Sequence, residues 1–208
     1  MRRLPLTAAG LLLLLCAPLE AASARLTKSD GRFHLTGAGP ISVNFIRALP
    51  VLRGFADYEK WALRDINEPR AGREKAYMIS IDGLRYEAAH RRFRFDYSFS
   101  RYFKGSHSLT LLVEDRLDEK PPRLIAKLET PTRLVQDVRC ELTFHPSDKV
   151  PGMLSKRTDS PEHLDIELTA EARSHWLFYY LVPLRLLRGN TEDRVLKVFE
   201  NADRRFSQ

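Results

Sequence analysis

The feature that most constrains this chain is an alternation. In Arg92-Phe-Arg-Phe-Asp-Tyr-Ser-Phe-Ser100 an aromatic stands at every second position. Side chains of an extended strand point alternately to opposite faces. Phe93, Phe95, Tyr97 and Phe99 therefore share one face, and Arg92, Arg94, Asp96 and Ser98 share the other. The same spacing recurs downstream. It groups His107, Leu109, Leu111 and Val113, then Leu124, Ala126 and Leu128, then Val138, Cys140, Leu142 and Phe144, then Leu164, Ile166, Leu168 and Ala170. Glu74 to Asp82 carries a less clean version, with Ala76, Met78 and Ser80 set against Tyr77, Ile79 and Ile81. Ile41 to Ala48 is a further strand candidate. Breakers fall between the runs at Asp82-Gly83, Lys104-Gly105, Pro121-Pro122, Thr130-Pro131, Pro146, Pro151-Gly152 and Ser160-Pro161. Period-two patterning with one wet face belongs to antiparallel sheets, not to the all-apolar strands of a parallel α/β sheet. About seven strands result, six of them consecutive after residue 72.

Such a sheet must cover its apolar face, and two regions have helical spacing. After Pro50, the residues Leu52, Phe55, Tyr58, Trp61, Ala62, Leu63 and Ile66 recur at helical intervals, and Gly54 and Asp57 suggest two short helices. At the carboxyl end, His175 to Leu187 is rich in Trp, Phe, Tyr and Leu and is interrupted by Pro183. Gly189-Asn190 reads as a break, with Asn190 or Thr191 capping a last helix and Glu192 and Asp193 in its first turn. Val195, Phe199, Ala202 and Phe206 form one apolar stripe on it, joined by Leu196 and Val198. Arg204 and Arg205 suit its carboxyl end.

The amino terminus has the layout of a secretory signal: Arg2 and Arg3, an apolar run from Leu6 to Ala17, and Ala22-Ser-Ala24 as the cleavage site. Residues 1–24 are set apart on this reading, and 25–208 form a single domain, exported and periplasmic. A retained amino-terminal anchor is the rival, although the run is shorter than the roughly 20 residues of a spanning helix. Leu15 before Cys16 argues against lipidation there. Cleavage leaves Cys140 alone, so no internal disulfide forms and stability comes from burial.

The chain carries a formal net charge of +7. That charge reads either as a solvated surface or as attraction to anionic lipid headgroups. Export and the lack of any nucleic-acid-binding signature exclude nucleic acid. The densest basic spot is His90-Arg91-Arg92 with Arg94.

The order of strand, two short helices, six strands and long terminal helix resembles the START-like superfamily, also called SRPBCC, the Bet v 1-like helix-grip fold. Two segments carry the likeness: Asp57-Tyr58-Glu59-Lys60-Trp61 within Pro50 to Trp61, and Trp176-Leu-Phe-Tyr-Tyr-Leu-Val-Pro183 before the amphipathic end. The resemblance spans about residues 40 to 206. It implies an α+β fold, a curved antiparallel sheet wrapped on the last helix, with the two short helices after strand 1. It also implies an apolar cavity between sheet and helix that holds a hydrophobic small molecule or lipid.

Motifs for chemistry are missing. The histidines, His34, His90, His107, His145, His163 and His175, form no H-x-x-x-H pair, and there is no C-x-x-C. No metal or cofactor is expected. G-x-S-x-G and phosphate-loop patterns are absent, and Gly37-Ala-Gly39 precedes a candidate strand, so it is dismissed. Glu114-Asp115 and Asp118-Glu119 lie in or near a loop, and adjacent strand residues point apart, so neither is an acid–base pair. Asp65, Glu167 and Glu171 read as solvated. No catalytic residue is assigned.

The expected ligand wall is Trp61, Phe93, Phe95, Tyr97, Phe99, Leu111, Cys140, Trp176, Tyr180 and Phe199. Aromatics serve packed cores as readily as cavity walls. Three readings stand: a periplasmic module that binds or transfers a hydrophobic, lipid-like ligand; a polyketide cyclase or aromatase-type enzyme using Tyr97, His107 and Cys140; and a partner-binding protein with a filled core. The last would show an exposed apolar patch near Trp176 to Leu187.

Overall fold

The computed structural model describes residues 22–69, 78–100, 103–147 and 163–207. The signal-like run, Ala76, Tyr77, Pro151-Gly152 and Ser160-Pro161 lie outside the described residues.

Eight antiparallel strands form one curved sheet in the order β1-β2-β8-β7-β6-β5-β4-β3. The strands are β1 (Ser23–Ser29), β2 (Arg32–Ile41), β3 (Ile79–Glu87), β4 (Arg92–Phe99), β5 (Gly105–Arg116), β6 (Arg123–Leu128), β7 (Val135–Ser147) and β8 (His163–Ser174). Strands β3 to β8 form a meander, each pairing with the next, and the β1–β2 hairpin joins it through β8. The register puts the alternating apolar sets on one face. Phe95 stands opposite Leu109 and Tyr97 opposite His107. Ala126 meets Cys140, and Cys140 meets Ala170 in turn. The break expected at Asp82-Gly83 falls inside β3 instead: a bulge between Ile81 and Gly83 shifts the register, and an extra residue reverses alternation beyond it.

Two expectations are corrected. Ile41 to Ala48 is not a strand: β2 ends at Ile41, and helix α1 (Phe45–Arg53) begins after Asn44. The Asn44 side chain accepts the Ile46 N–H at 2.7 Å, closing the first turn. Two strands, not one, therefore precede the short helices. Asp30 and Gly31 make the hairpin turn between them with φ of 50° and 75°, the left-handed pair that a two-residue turn needs. Strand β1 includes Ser23 and Ala24, which the signal reading sets apart.

The second correction concerns the carboxyl end. The last helix does not start after Gly189-Asn190. It runs unbroken from Leu184 to Phe206 as α4, with Pro183 at its amino cap, where proline costs no hydrogen bond. Asn190 lies inside it. Its amide donates to the Leu186 carbonyl at 2.7 Å, and its side-chain oxygen accepts the Met78 N–H at 2.8 Å. A partner just before β3 thus replaces the capping role. The remaining helices are α2 (Tyr58–Ala62), preceded by a 3₁₀ turn at Phe55–Asp57, and α3 (Trp176–Leu181).

Helix α4 lies across β1, β2 and α2. Gly37 and Gly39 of β2 face it. A Cβ on Gly37 would stand 3.0 Å from Val195 Cγ1 and 3.3 Å from the Phe199 ring. The glycines let the helix approach the sheet backbone. Glu192 fastens the same contact by accepting the Leu26 N–H at 2.8 Å. Beyond this seam the sheet curves away from α4.

Candidate functional site

Where the sheet curves away, a cavity of about 520 Å³ lies between its inner face and α4. The sheet contributes Phe95, Tyr97 and Phe99 of β4, with Leu109, Val138, Cys140, Leu142, Leu168 and Ala172 from β5, β7 and β8. Helix α4 contributes Thr191, Arg194, Val195, Val198 and Phe199, and α3 contributes Phe178. Leu63, Ile66, Ile79 and Ile81 close the end near β3. The wall is almost wholly apolar.

Its polar groups are few and restrained. Tyr97 is 6% exposed, and its ring lies 5.6 Å from Phe99 and 5.5 Å from His107. Burial pushes its hydroxyl up, so it stays a neutral phenol. Cys140 shows part of its surface to the cavity. Burial, and then the charge of Glu141, push its thiol up to about 12. A neutral thiol is neither a nucleophile nor a metal ligand at ordinary pH. Arg194 is buried and ties α4 to the far end of the sheet. Its Nε donates to the Ile66 carbonyl at 3.3 Å and its Nη2 to Asn67 Oδ1 at 3.3 Å, with a further contact to the Ile79 carbonyl. Among the described residues no cluster of His, Cys, Asp and Glu is arranged to hold a metal ion.

The structure brings together half of the expected wall: Phe95, Tyr97, Phe99, Cys140 and Phe199. The others lie outside its lining. Phe93 and Trp61 belong to a filled aromatic cluster at the end of the sheet. Phe93 packs 5.1 Å from Tyr86 and 5.9 Å from Phe55, and Trp61 packs 4.9 Å from Tyr58 and 5.9 Å from Phe206. Leu111 shares the inner face, but it stands opposite Phe93 and Leu128, outside the cavity lining. Trp176 and Tyr180 are 61% and 75% exposed, on the outer side of α3. His107 also misses the cavity lining, and its Nε2 lies 3.0 Å from the Phe103 carbonyl.

Sequence reasoning missed Leu109 and Val138, although each shares an alternation face with a chosen residue, and Leu168, whose strand contributed no chosen residue. It also missed Thr191, Arg194, Val195 and Val198, which fall at i, i+3, i+4 and i+7 and so line one face of α4. That spacing was available. Val195 and Val198 were read as part of the apolar stripe and not as ligand wall, and the polarity of Thr191 and Arg194 kept them out of it. Phe178 had no signal, because α3 is apolar all round.

A larger hollow of about 780 Å³ lies along β1, β2 and β8. Thr36, Ala38, Pro40, His145, Asp165 and Glu167 of its lining fall on the outer alternation face, so its wall mixes polar and apolar surface. The apolar cavity is the better candidate.

No protein-family model matches the sequence. No curated protein matches it either. Solved structures do resemble it. A START superfamily protein from Mycobacterium smegmatis superposes with a TM-score of 0.51 at 10% identity, covering 84% of this chain and 97% of that one. A STAR-related lipid transfer protein from Xanthomonas axonopodis matches with a TM-score of 0.47 at 10% identity over 92% of this chain and 96% of its own. The Zhui aromatase/cyclase from Streptomyces sp. R1128 matches with a TM-score of 0.41 at 12% identity over 85% and 87%. With its curved antiparallel sheet gripping a long carboxyl-terminal helix, this chain has the START-like, helix-grip fold.

Proposed function

We propose that this protein binds a hydrophobic small molecule or lipid in the space between the sheet and α4, as a binding or transfer module. The observation that carries the reading is the cavity of about 520 Å³ with its apolar wall. Small-molecule sites span roughly 300–1,000 Å³. Left dry and empty, apolar space is costly. At roughly 24 cal/mol per Å³, a void of this scale would cost on the order of 10 kcal/mol, comparable with the whole stability of a domain. An apolar occupant offsets that cost. The wall favours a ligand that is apolar along its length and carries few hydrogen-bonding groups, met by Tyr97 or Thr191.

The enzyme reading is weaker on the same geometry. Tyr97 and Cys140 stay neutral, and His107 is turned to a backbone carbonyl outside the lining. Among the described residues no general base and nucleophile converge in the cavity. Export to the periplasm belongs to the proposal and rests on Arg2 and Arg3, the Leu6–Ala17 run and Ala22-Ser-Ala24. Peripheral contact with an anionic membrane belongs to it as well, whereas a nucleic-acid partner does not.

Native mass spectrometry of protein purified without detergent tests the reading. Co-purifying apolar adducts are expected, and Ala172→Trp, which places a large ring in the cavity, should remove them while the chain stays folded. An adduct-free protein that also takes up no added fatty acid or sterol would sink the proposal.

A further inference from the structure

Helix α3, Trp176-Leu-Phe-Tyr-Tyr-Leu181, has no polar side-chain group other than its indole N–H and its tyrosine hydroxyls. Helices that are apolar all round are normally buried. This one is not. Phe178 turns inward and lines the cavity. Outward, Trp176 is 61% exposed, Leu177 36%, Tyr180 75% and Leu181 54%, with Leu186 of α4 40% exposed beyond them. Trp176 and Tyr180 are four residues apart, as are Leu177 and Leu181, so each pair lies on one side of the helix. Exposed apolar residues gathered on one element mark an interaction site.

We infer that the outer face of α3 docks on an anionic lipid surface. Three observations favour that occupant. The first is composition: Trp and Tyr present an apolar ring and one polar atom, which suits the headgroup level of a bilayer. The second is charge. Lys28 contacts the Tyr179 carbonyl, and its Nζ lies 3.9 Å over the Tyr179 ring. Lys104 follows Phe103, whose ring is 5.6 Å from Phe178. Arg133 precedes Leu134, whose carbonyl accepts the His175 N–H at 2.9 Å. Arg185 stands at the second residue of α4. Lys104, Arg133 and Arg185 have no ion pair among the described residues, and a rim of cations around an apolar face attracts anionic headgroups. Of the nearby acids, Asp137 and Glu171 are engaged by Arg32 at 3.2 and 3.7 Å. Asp30 remains, beside Gly31, whose N–H donates to the Tyr179 hydroxyl at 3.3 Å.

The third observation is what the rim does to the other occupants. A symmetric pair of chains meeting through α3 would bring two copies of the same cations together, and like charges facing each other oppose association. An anionic bilayer has the opposite sign and no such penalty. The six residues of α3 are too few to span, so the contact is interfacial. Docking there would set the cavity wall, through Phe178, one helix thickness from the lipid. In this respect the inference extends the ligand-binding reading, although the docking face does not need a ligand.

The chain carries its own tryptophan reporters, Trp61 and Trp176. A single-tryptophan variant, Trp61→Phe, reports on α3, and Trp176→Phe reports on the filled aromatic cluster. Full-length protein is mixed with vesicles of brominated phosphatidylcholine, with or without phosphatidylglycerol. The amino-terminal apolar run enters every vesicle assay, so the readout is quenching at the chosen ring and not binding alone. Trp176 is expected to be quenched and blue-shifted on phosphatidylglycerol vesicles and little changed on neutral ones. Trp61 should stay unquenched on both. Charge reversal at two rim positions, Lys104→Glu with Arg133→Glu, should weaken the Trp176 response roughly tenfold or more. Tyr180→Ser with Leu181→Ser should do the same with the thermal transition retained. Bound protein with an unquenched Trp176 overturns the inference. So does quenching that is equal on neutral lipid. A concentration-dependent dimer that shields Trp176 and dissociates in the Tyr180→Ser, Leu181→Ser variant assigns the face to a second copy instead. Loss of quenching with apolar adducts still present fails the docking alone, and the reverse fails the cavity alone.

Discussion

Cys140 shows how far single residues were readable. Its place between Val138 and Leu142 in a strict alternation assigned it to the inner face, and it lines the cavity. Phe93 had the same signal and stands in packed aromatics, because Phe55 of the 3₁₀ turn and Tyr58 of α2 fill the end of the sheet it faces. Alternation tells which face a residue takes, not whether a helix or a void lies opposite. The Cys140 thiol makes a pH prediction. The folded chain holds its proton up to about 12. An unfolded chain releases it near roughly 8.5. Below that value the thiol contributes no pH dependence. Above it, unfolding releases a proton, so stability falls as pH rises toward the folded value. Urea unfolding between these limits should show Cys140→Val losing stability less steeply than the parent, by at most about 1.4 kcal/mol per pH unit. Alkylation at mildly alkaline pH, mapped to this peptide, should be slow in native buffer and fast in urea. Identical pH slopes for parent and variant, or prompt native labelling, would show that the thiol is not held in this way.

Strands β4 to β8 were legible because each buries one face and wets the other, whereas β3 was read only in part, since the break expected at Asp82-Gly83 falls inside it as a bulge. β2 was not legible, because its inner face reads Phe33, Leu35, Gly37, Gly39 and Ile41. Two glycines erase the hydrophobic contrast that period-two patterning relies on. They are there for α4, whose Val195 and Phe199 occupy the space their side chains would take. The break expected at Gly189-Asn190 failed for a related reason. Local propensity favoured a cap at Asn190, but the Met78 N–H just before β3 and the Leu186 carbonyl within the helix satisfy that side chain. Gly37→Val tests the seam. The added branches meet Val195 Cγ1 and the Ser23 carbonyl, so α4 must shift. A loss of about 1–3 kcal/mol is expected in denaturant titration. A compensating Val195→Ala should recover part of it, because the two sites are in contact and are not additive. An unchanged midpoint for Gly37→Val would mean that α4 is not seated on the β2 backbone.

For the whole molecule the governing trade-off is between the seam and the cavity. Where α4 touches β1 and β2 the protein is filled, with Ile41, Phe144 and Leu164 fully buried. Farther along the same helix, Val198 and Arg194 face open apolar space instead. One helix thus serves as core on one side and as ligand wall on the other, and no residue type separates the two roles. That is why the sequence pointed to the architecture but spread the expected wall over residues that line the cavity, such as Phe95, and residues that pack elsewhere, such as Phe93. The trade-off predicts opposite behaviour for filled and empty protein. Extraction of the apolar occupant should lower the thermal midpoint, since a ligand bound only by the folded state stabilises it by mass action. Leu168→Phe or Ala172→Phe adds side-chain volume inside the cavity without a polar group. In extracted protein these variants should match or exceed the parent in stability, because they restore contacts that the void removes. Added fatty acid should then raise the parent's midpoint by several degrees and leave the filled variants nearly unmoved. If the filled variants instead unfold early, as overpacked cores do, and the extracted parent is as stable as the untreated protein, the space closes on its own and holds no ligand.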